Sequence, residues 1–255
     1  VKILARLLSG LVMAAAANAV SATVIQSGSE TPLQQVLCNL YTAAGAPNCN
    51  AAPNVNTDQY GLDQLWAIEA SGFSGATLVI EIAGNANTNT FGIYDAANPA
   101  NQIQLFAGVA NQGDTAMINI SDTGAVTIVY FDNGVFAGVS GGSLAGNLFG
   151  YYLGTTGGTF YSQAALNAGG ADQMVAYRGD GDTIKLPSKP AGVWGSSSFI
   201  LAWEDLPYGS SDKDFNDFVV YVESVTGVPE PGSLALLSLG LAGLAVVARR
   251  QRVSA

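Results

Sequence analysis

Residues 199–222 read FILAWEDLPYGSSDKDFNDFVVYV and have the form strand, turn, strand. The outer runs are short, apolar and rich in β-branched and aromatic residues, as buried strands are. The middle is built from Pro, Gly, Ser, Asp and Asn, the residues of turns. Two-residue alternation puts Phe199, Leu201 and Trp203 on one strand face, which assigns Trp203 to the core rather than to a surface platform.

The same pattern recurs outward along the chain. Strand-like runs fall at 65–70, 77–83, 90–94, 102–106, 116–120, 126–131, 148–153, 159–162, 173–177, 183–186, 198–205 and 218–225, separated by Gly, Asn, Asp or Pro. The 31 glycines fit many turns rather than long helices. Short, evenly spaced strands with such turns predict an all-β fold, an antiparallel β-sandwich of jelly-roll type. The glycine-rich stretch 134–146 reads as a seam between two sheets or two lobes. One short helix is expected at 31–41: Thr31 is a capping residue, Pro32 suits the first turn, and Leu33, Val36, Leu37 and Leu40 repeat at helical spacing.

The turn carries the chemistry. Glu204, Asp205, Asp212, Asp214 and Asp217 lie within 14 residues of one another, with Asn216 among them and Lys213 as the local base. Crowded carboxylates repel, and a hard cation is the simplest counter-charge for an all-oxygen donor set. Calcium is therefore the expected cofactor, with Glu204, Asp205, Asp212, Asp214, Asn216 and Asp217 as candidate ligands. Asp212, Asp214 and Asn216 alternate like positions 1, 3 and 5 of an EF-hand loop, and Glu223 falls at position 12. Position 6 is Asp217 rather than glycine, and a strand follows instead of a helix, so an EF-hand is rejected. Two other readings stay open. One is a solvated acidic hairpin held by Asx turns. The other is a glycosidase carboxylate pair, disfavoured because adjacent Glu204 and Asp205 point to opposite strand faces. Asp180-Gly181-Asp182 reads as a turn, and the Arg178-Gly179-Asp180 tripeptide carries no weight.

Composition excludes several functions. The chain has Lys+Arg 9, Asp+Glu 19 and no histidine. A net charge of -10 opposes nucleic-acid binding. Without histidine, Ser-His-Asp and Cys-His machinery cannot be built. A non-enzymatic role is expected, with a carbohydrate-binding module as the alternative and a glycan hydrolase as a weaker one. Cys38 and Cys49 are the two cysteines, and an exported chain is expected to bond them, a free buried pair being the alternative.

The ends read as addresses. Residues 1–22 combine Lys2 and Arg6, an apolar stretch, and two small-x-small exits, Ala17-Asn18-Ala19 and Val20-Ser21-Ala22. This is the layout of a secretory signal peptide, with cleavage after Ala19 or after Ala22. The exported β-rich body is 23–227. From 228 the chain reads VPEPGSLALLSLGLAGLAVVARRQRVSA. The uncharged part, 232–248, makes about 25 Å of helix, slightly short for a bilayer core. Arg249, Arg250 and Arg252 put the basic end in the cytoplasm.

Pro229-Glu230-Pro231, an apolar helix and an arginine cluster, in that order, resemble the PEP-CTERM sorting signal. The resemblance implies export through the inner membrane of a Gram-negative bacterium and transient insertion of a C-terminal transmembrane helix at 228–255. It also implies processing by exosortase and residence at the cell surface or in an exopolysaccharide, biofilm-type matrix. Exopolysaccharide is then a candidate partner.

A second resemblance covers about 145–226. Phe149-Gly150-Tyr151-Tyr152-Leu153, Thr159-Phe160-Tyr161-Ser162, Trp203-Glu204-Asp205-Leu206 and Asp212-Lys213-Asp214-Phe215-Asn216-Asp217 are similar to the signature of the domain of unknown function 4114. It implies a β-rich, calcium-linked surface module. Ala171-Asp172-Gln173-Met174 departs from that family, where a histidine is more usual.

Overall fold

A computed structural model describes residues 23–41, 47–68, 74–81 and 87–229, with backbone alone at 74–75 and 77–81. The signal segment 1–22 and the tail from Glu230, with Pro231, Arg249, Arg250, Arg252 and the expected sorting helix, lie outside these residues. Among the described residues no helix is long and apolar enough to cross a membrane.

In chain order the elements are α1 (Leu33–Leu40), β1 (Leu65–Ile68), β2 (Ser74–Glu81), β3 (Thr90–Asp95) and β4 (Asn98–Phe106). Then come β5 (Thr115–Ile120), β6 (Ala125–Asp132), β7 (Val135–Ser143), β8 (Leu148–Thr155) and β9 (Gly158–Tyr161). Two short 3-10 turns precede β10 (Met174–Arg178), β11 (Thr183–Lys185), β12 (Ala191–Val193), β13 (Ser198–Trp203), β14 (Phe218–Glu223) and β15 (Val225–Val228). The all-β expectation with antiparallel pairing and one short helix holds.

One sheet runs β15-β1-β8-β3-β4, with β9 also on β8; the other runs β10-β13-β14-β2-β5-β6-β7. All pairings between these strands are antiparallel. Trp66, Phe91, Phe149 and Tyr151 of the first sheet share one buried cluster with Phe199, Leu201, Trp203, Phe218 and Val220 of the second. Phe91 anchors it, with its ring 5.5 Å from Tyr151, 5.2 Å from Phe218 and 6.1 Å from Trp203.

At its β10-β13-β14 end the second sheet is buried on its outer face as well. Val175, Tyr177, Ile200, Ala202, Val219 and Tyr221 pack under Leu33, Val36, Leu37, Leu40, Trp194 and Phe215. This explains why β13 from Phe199 to Trp203 and β14 from Phe218 to Val222 are apolar at every position rather than at alternate ones. Helix α1 exists to cover this end. Its apolar stripe has no other destination, and Cys38 is bonded to Cys49 at its last turn.

Two expectations need correction. The glycine-rich stretch 134–146 is mostly strand β7, the edge of the second sheet, rather than a seam. It leaves β6 through Asn133-Gly134, both at positive φ (46° and 88°), the geometry of a tight primed hairpin turn. The run 218–225 is two strands. Ser224 has φ 59°, and the chain there leaves β14 in one sheet for β15 in the other.

Candidate metal centre

The acidic turn follows β13 and returns to β14. Alternation along β13 continues past its end. Ala202 faces outward and Trp203 inward, so Glu204 turns outward and Asp205 inward. Glu204 is 0% exposed, and its Oε1 accepts the Phe215 N–H at 2.6 Å. Its Oε2 is buried without a hydrogen-bond partner.

The loop is shaped to present oxygens. Lys213 and Phe215 have φ 63° and 54°, while Asp212 and Asp214 keep ordinary backbone. Left-handed backbone at a non-glycine residue costs about 1–2 kcal/mol. Burying the Phe215 ring under the outer face of the second sheet offsets that cost. The alternation turns main-chain N–H groups inward, forming a nest in which the Glu204 carboxylate sits. One carboxylate oxygen is thereby fixed, and the other keeps no hydrogen-bond partner. Ligand oxygens of Glu204, Asp212 and Asp214 all lie within 4.8 Å of one another. Glu204 and Asp214 are buried, and Asp212 is exposed.

Asn216 stands beside them. Its Nδ2 donates to the Thr31 carbonyl (2.9 Å) and to Asp214 Oδ2 (2.8 Å), which fixes the amide. Its Oδ1 is buried without a partner. Lys213, the local base, turns away, with Nζ 5.0 Å from the Tyr208 ring centre. Burial first, and the Asp212 carboxylate second, push Asp214 up to about 6. Burial likewise raises Glu204 above the usual carboxylate range.

Asp205 and Asp217 take other work. The Asp205 carboxylate accepts from Asn89 Nδ2 at 3.1 Å, joining the end of β13 to the residue before β3 in the opposite sheet. Asp217 Oδ2 accepts the Asp205 N–H at 2.9 Å, closing the turn. Burial pushes Asp217 up to about 8. The six candidate ligands thus divide. Glu204, Asp212 and Asp214 converge, Asn216 borders them, and Asp205 with Asp217 pins the loop. Asp180-Gly181-Asp182 is a turn, with Asp182 N–H on Asp180 Oδ1 at 3.0 Å. Trp66, Trp194 and Trp203 are fully buried, so none forms a stacking platform.

Local reading of the loop misses the N-terminal arm, 23–32. Gln26 N–H donates to the Lys213 carbonyl at 2.8 Å. Gly28 lies directly on the carboxylates: a Cβ there would stand 2.0 Å from Asp214 Oδ2 and 2.6 Å from Asp212 Oδ2. Glu30 adds negative potential at Asp214. No local sequence signal ties these positions to residues some 180 further on.

The residues fit a hard cation. The donors are oxygen, two buried acceptors lack a partner, and glycine leaves the mouth open. The class is therefore an antiparallel β-protein with a carboxylate-lined loop at one end of a doubly covered sheet. Residues 131–225 match the family described as Domain of unknown function (DUF4114), and residues 227–251 match the PEP-CTERM protein-sorting motif. Both resemblances read from the sequence are shown, and the first begins at β6 and so takes in β7. No curated protein and no solved structure matches the chain. The sorting motif marks an exported protein handled through the membrane by exosortase.

Proposed function

We propose that the exported body is a non-enzymatic, calcium-stabilised β-sandwich of the cell surface or exopolysaccharide matrix. In this reading calcium is held by Glu204, Asp212 and Asp214, with Asn216 Oδ1 beside them, and it clamps the N-terminal arm and the 204–217 loop together. The observation that carries the reading is Glu204 Oε2, a buried carboxylate oxygen without a hydrogen-bond partner, on a residue whose carboxylate lies within 4.8 Å of ligand oxygens of Asp212 and Asp214. Burying an uncompensated carboxylate is costly, and a divalent ion removes that cost. A hydrolytic role lacks support, because Glu204 is turned to the Phe215 N–H while Asp205 is turned to Asn89 of the opposite sheet. Isothermal titration with calcium, and melting in millimolar calcium and then EDTA, tests the reading. Heat of binding with a reversible rise in melting temperature is expected; no change in melting temperature refutes it.

A second reading, glycan binding, has one observation in its favour. A shallow polar groove lies between β4 and β7, lined by Asn101, Gln102, Gln104, Tyr130 and Ser140. Retention on a glycan array that is lost in Tyr130→Ala supports it; no retention removes it.

A further inference from the structure

A second buried acidic node lies away from the candidate metal centre, where the described chain begins. Thr23 is tied down on every polar atom. Its N–H donates to Gln59 Oε1 at 2.9 Å, and its carbonyl accepts from Gln59 Nε2 at 2.7 Å. Its Oγ1 donates to Asp172 Oδ2 at 2.6 Å. Two residues on, the Ile25 N–H donates to Asn56 Oδ1 at 2.8 Å.

Among the described residues, no base contributes to the electrostatics of the two acids near Thr23, Asp63 and Asp172. Asp172 Oδ1 is buried and accepts no hydrogen bond. Asp63 is 5% exposed, and burial, followed by the Asp172 charge, pushes it up to about 8. Burial raises Asp172 too, against the Thr23 hydroxyl and the nearby Met174 amide. The body holds four bases, Arg178, Lys185, Lys189 and Lys213. Arg178 is engaged elsewhere, lying over the Tyr60 ring at 5.7 Å with Nε on the Ser196 carbonyl. Lys213 lies over Tyr208.

We propose that signal cleavage falls between Ala22 and Thr23, and that the new Thr23 α-ammonium is the missing counter-ion of the Asp172–Asp63 pair. A signal peptidase hydrolyses the Ala22–Thr23 bond with water. The hydroxyl goes to the Ala22 carbonyl, which leaves as a carboxylate with the signal segment. The Thr23 nitrogen keeps its one hydrogen, takes the remaining hydrogen of the water and takes up the proton that the new carboxyl group releases, which makes it an ammonium at neutral pH. The ammonium has three donors where the amide had one. One stays on Gln59 Oε1, and another is available to Asp172 Oδ1. Within threonine the nitrogen sits about 3–4 Å from Oγ1, so the new charge lies within ion-pairing range of Asp172. Cleavage after Ala19 would leave three extra residues and bury no charge here. The folded body thus fits the terminus that the Val20-Ser21-Ala22 exit releases and not the one that Ala17-Asn18-Ala19 would release, and calcium plays no part in that fit.

The full chain, expressed with its signal in an exporting Gram-negative host, provides the test. Intact mass and N-terminal sequencing of the exported protein are expected to give a chain starting at Thr23; a chain starting at Val20 overturns the proposal. Inserting Gly-Ser between Ala22 and Thr23 displaces the ammonium and is expected to lower the melting temperature by about 3–6 °C. In an Asp172→Asn background the same insertion is expected to change it by less than about 1 °C. An equal loss in both backgrounds, or none in either, refutes the ion pair. An independent readout needs no variant to fold. The Thr23 α-amine, followed by NMR, should titrate above about 9 instead of near 8, and an ordinary value refutes the pair.

Discussion

Glu204→Gln separates a metal ligand from an ordinary buried acid. Glutamine keeps an acceptor for the Phe215 N–H, now 2.6 Å from Glu204 Oε1, so the loop keeps its shape. It removes one of three negative charges whose oxygens lie within 4.8 Å. Two unit charges at that separation repel by about 3 kcal/mol at an effective dielectric of 20. Partial protonation already relieves some of this, so the metal-free variant should gain about 2 kcal/mol, or about 4–8 °C in melting temperature. Calcium reverses the order. At a hundredfold excess over its dissociation constant, calcium stabilises the native protein by about 2.7 kcal/mol. A hundredfold weaker site leaves the variant only about 0.4 kcal/mol at the same concentration. Melting both proteins in EDTA and in calcium should therefore show the variant ahead in the first and level or behind in the second. A variant that responds to calcium as fully as the native chain refutes ligation by Glu204. A variant that melts below the native chain in EDTA refutes the electrostatic account of the metal-free loop.

Gly28→Ala places a methyl group 2.0 Å from Asp214 Oδ2, and the displaced carboxylate should weaken calcium binding at least tenfold by isothermal titration, with about 1–3 kcal/mol of stability lost; unchanged affinity removes Gly28 from the mouth of the site. Asp214 titrates near 6 and Asp217 near 8 against an ordinary 3.8. Between those values the folded chain holds more protons than the unfolded one, so metal-free stability falls as pH rises from about 4 to about 8. Calcium affinity should rise over the same interval as its ligands ionise. Urea unfolding in EDTA at pH 5 and pH 8 checks the first trend, and a rise with pH contradicts it. Replacing both cysteines by serine opens an 11-residue loop and should cost about 2.8 kcal/mol by chain entropy, read as a lower urea midpoint with unchanged slope.

How much of this the sequence discloses depends on burial. Strands β13 and β14 are legible because both faces are covered and Phe199 to Trp203 and Phe218 to Val222 are unbroken apolar runs. Strand β7 escapes the same reading because nearly all its positions are exposed, so burial writes no alternation into it. Its legible mark was Asn133-Gly134, a hairpin signal that is local and independent of the core. The break at Ser224 has no such mark, since a single left-handed residue between two apolar runs leaves periodicity intact. For the loop, density of carboxylates points to the right segment, and strand parity separates Asp205 from Glu204. Gly28 and Thr31 stay hidden because their partners are fixed by the tertiary path of the arm, which no spacing rule reaches.

That arm is where the two proposals meet. Leaving out the terminal segments, the body has 4 basic and 18 acidic residues, a net charge of -14. Its arm crosses two acidic nodes, Asp172 with Asp63 at Thr23 and the Glu204–Asp212–Asp214 group at Gly28. It then delivers α1 onto the outer face of the second sheet, where Leu33, Val36, Leu37 and Leu40 are buried, each such side chain contributing about 1.5–3 kcal/mol. The core between the sheets needs none of this. The covering layer does, because the arm that leads to it meets buried carboxylates at Thr23 and again at Gly28. On the two readings argued above, both missing cations arrive with export: one as the terminus released by cleavage, the other as calcium outside the membrane. The core between the two sheets can then form first, and the outer layer locks when the charges that oppose its arm are neutralised.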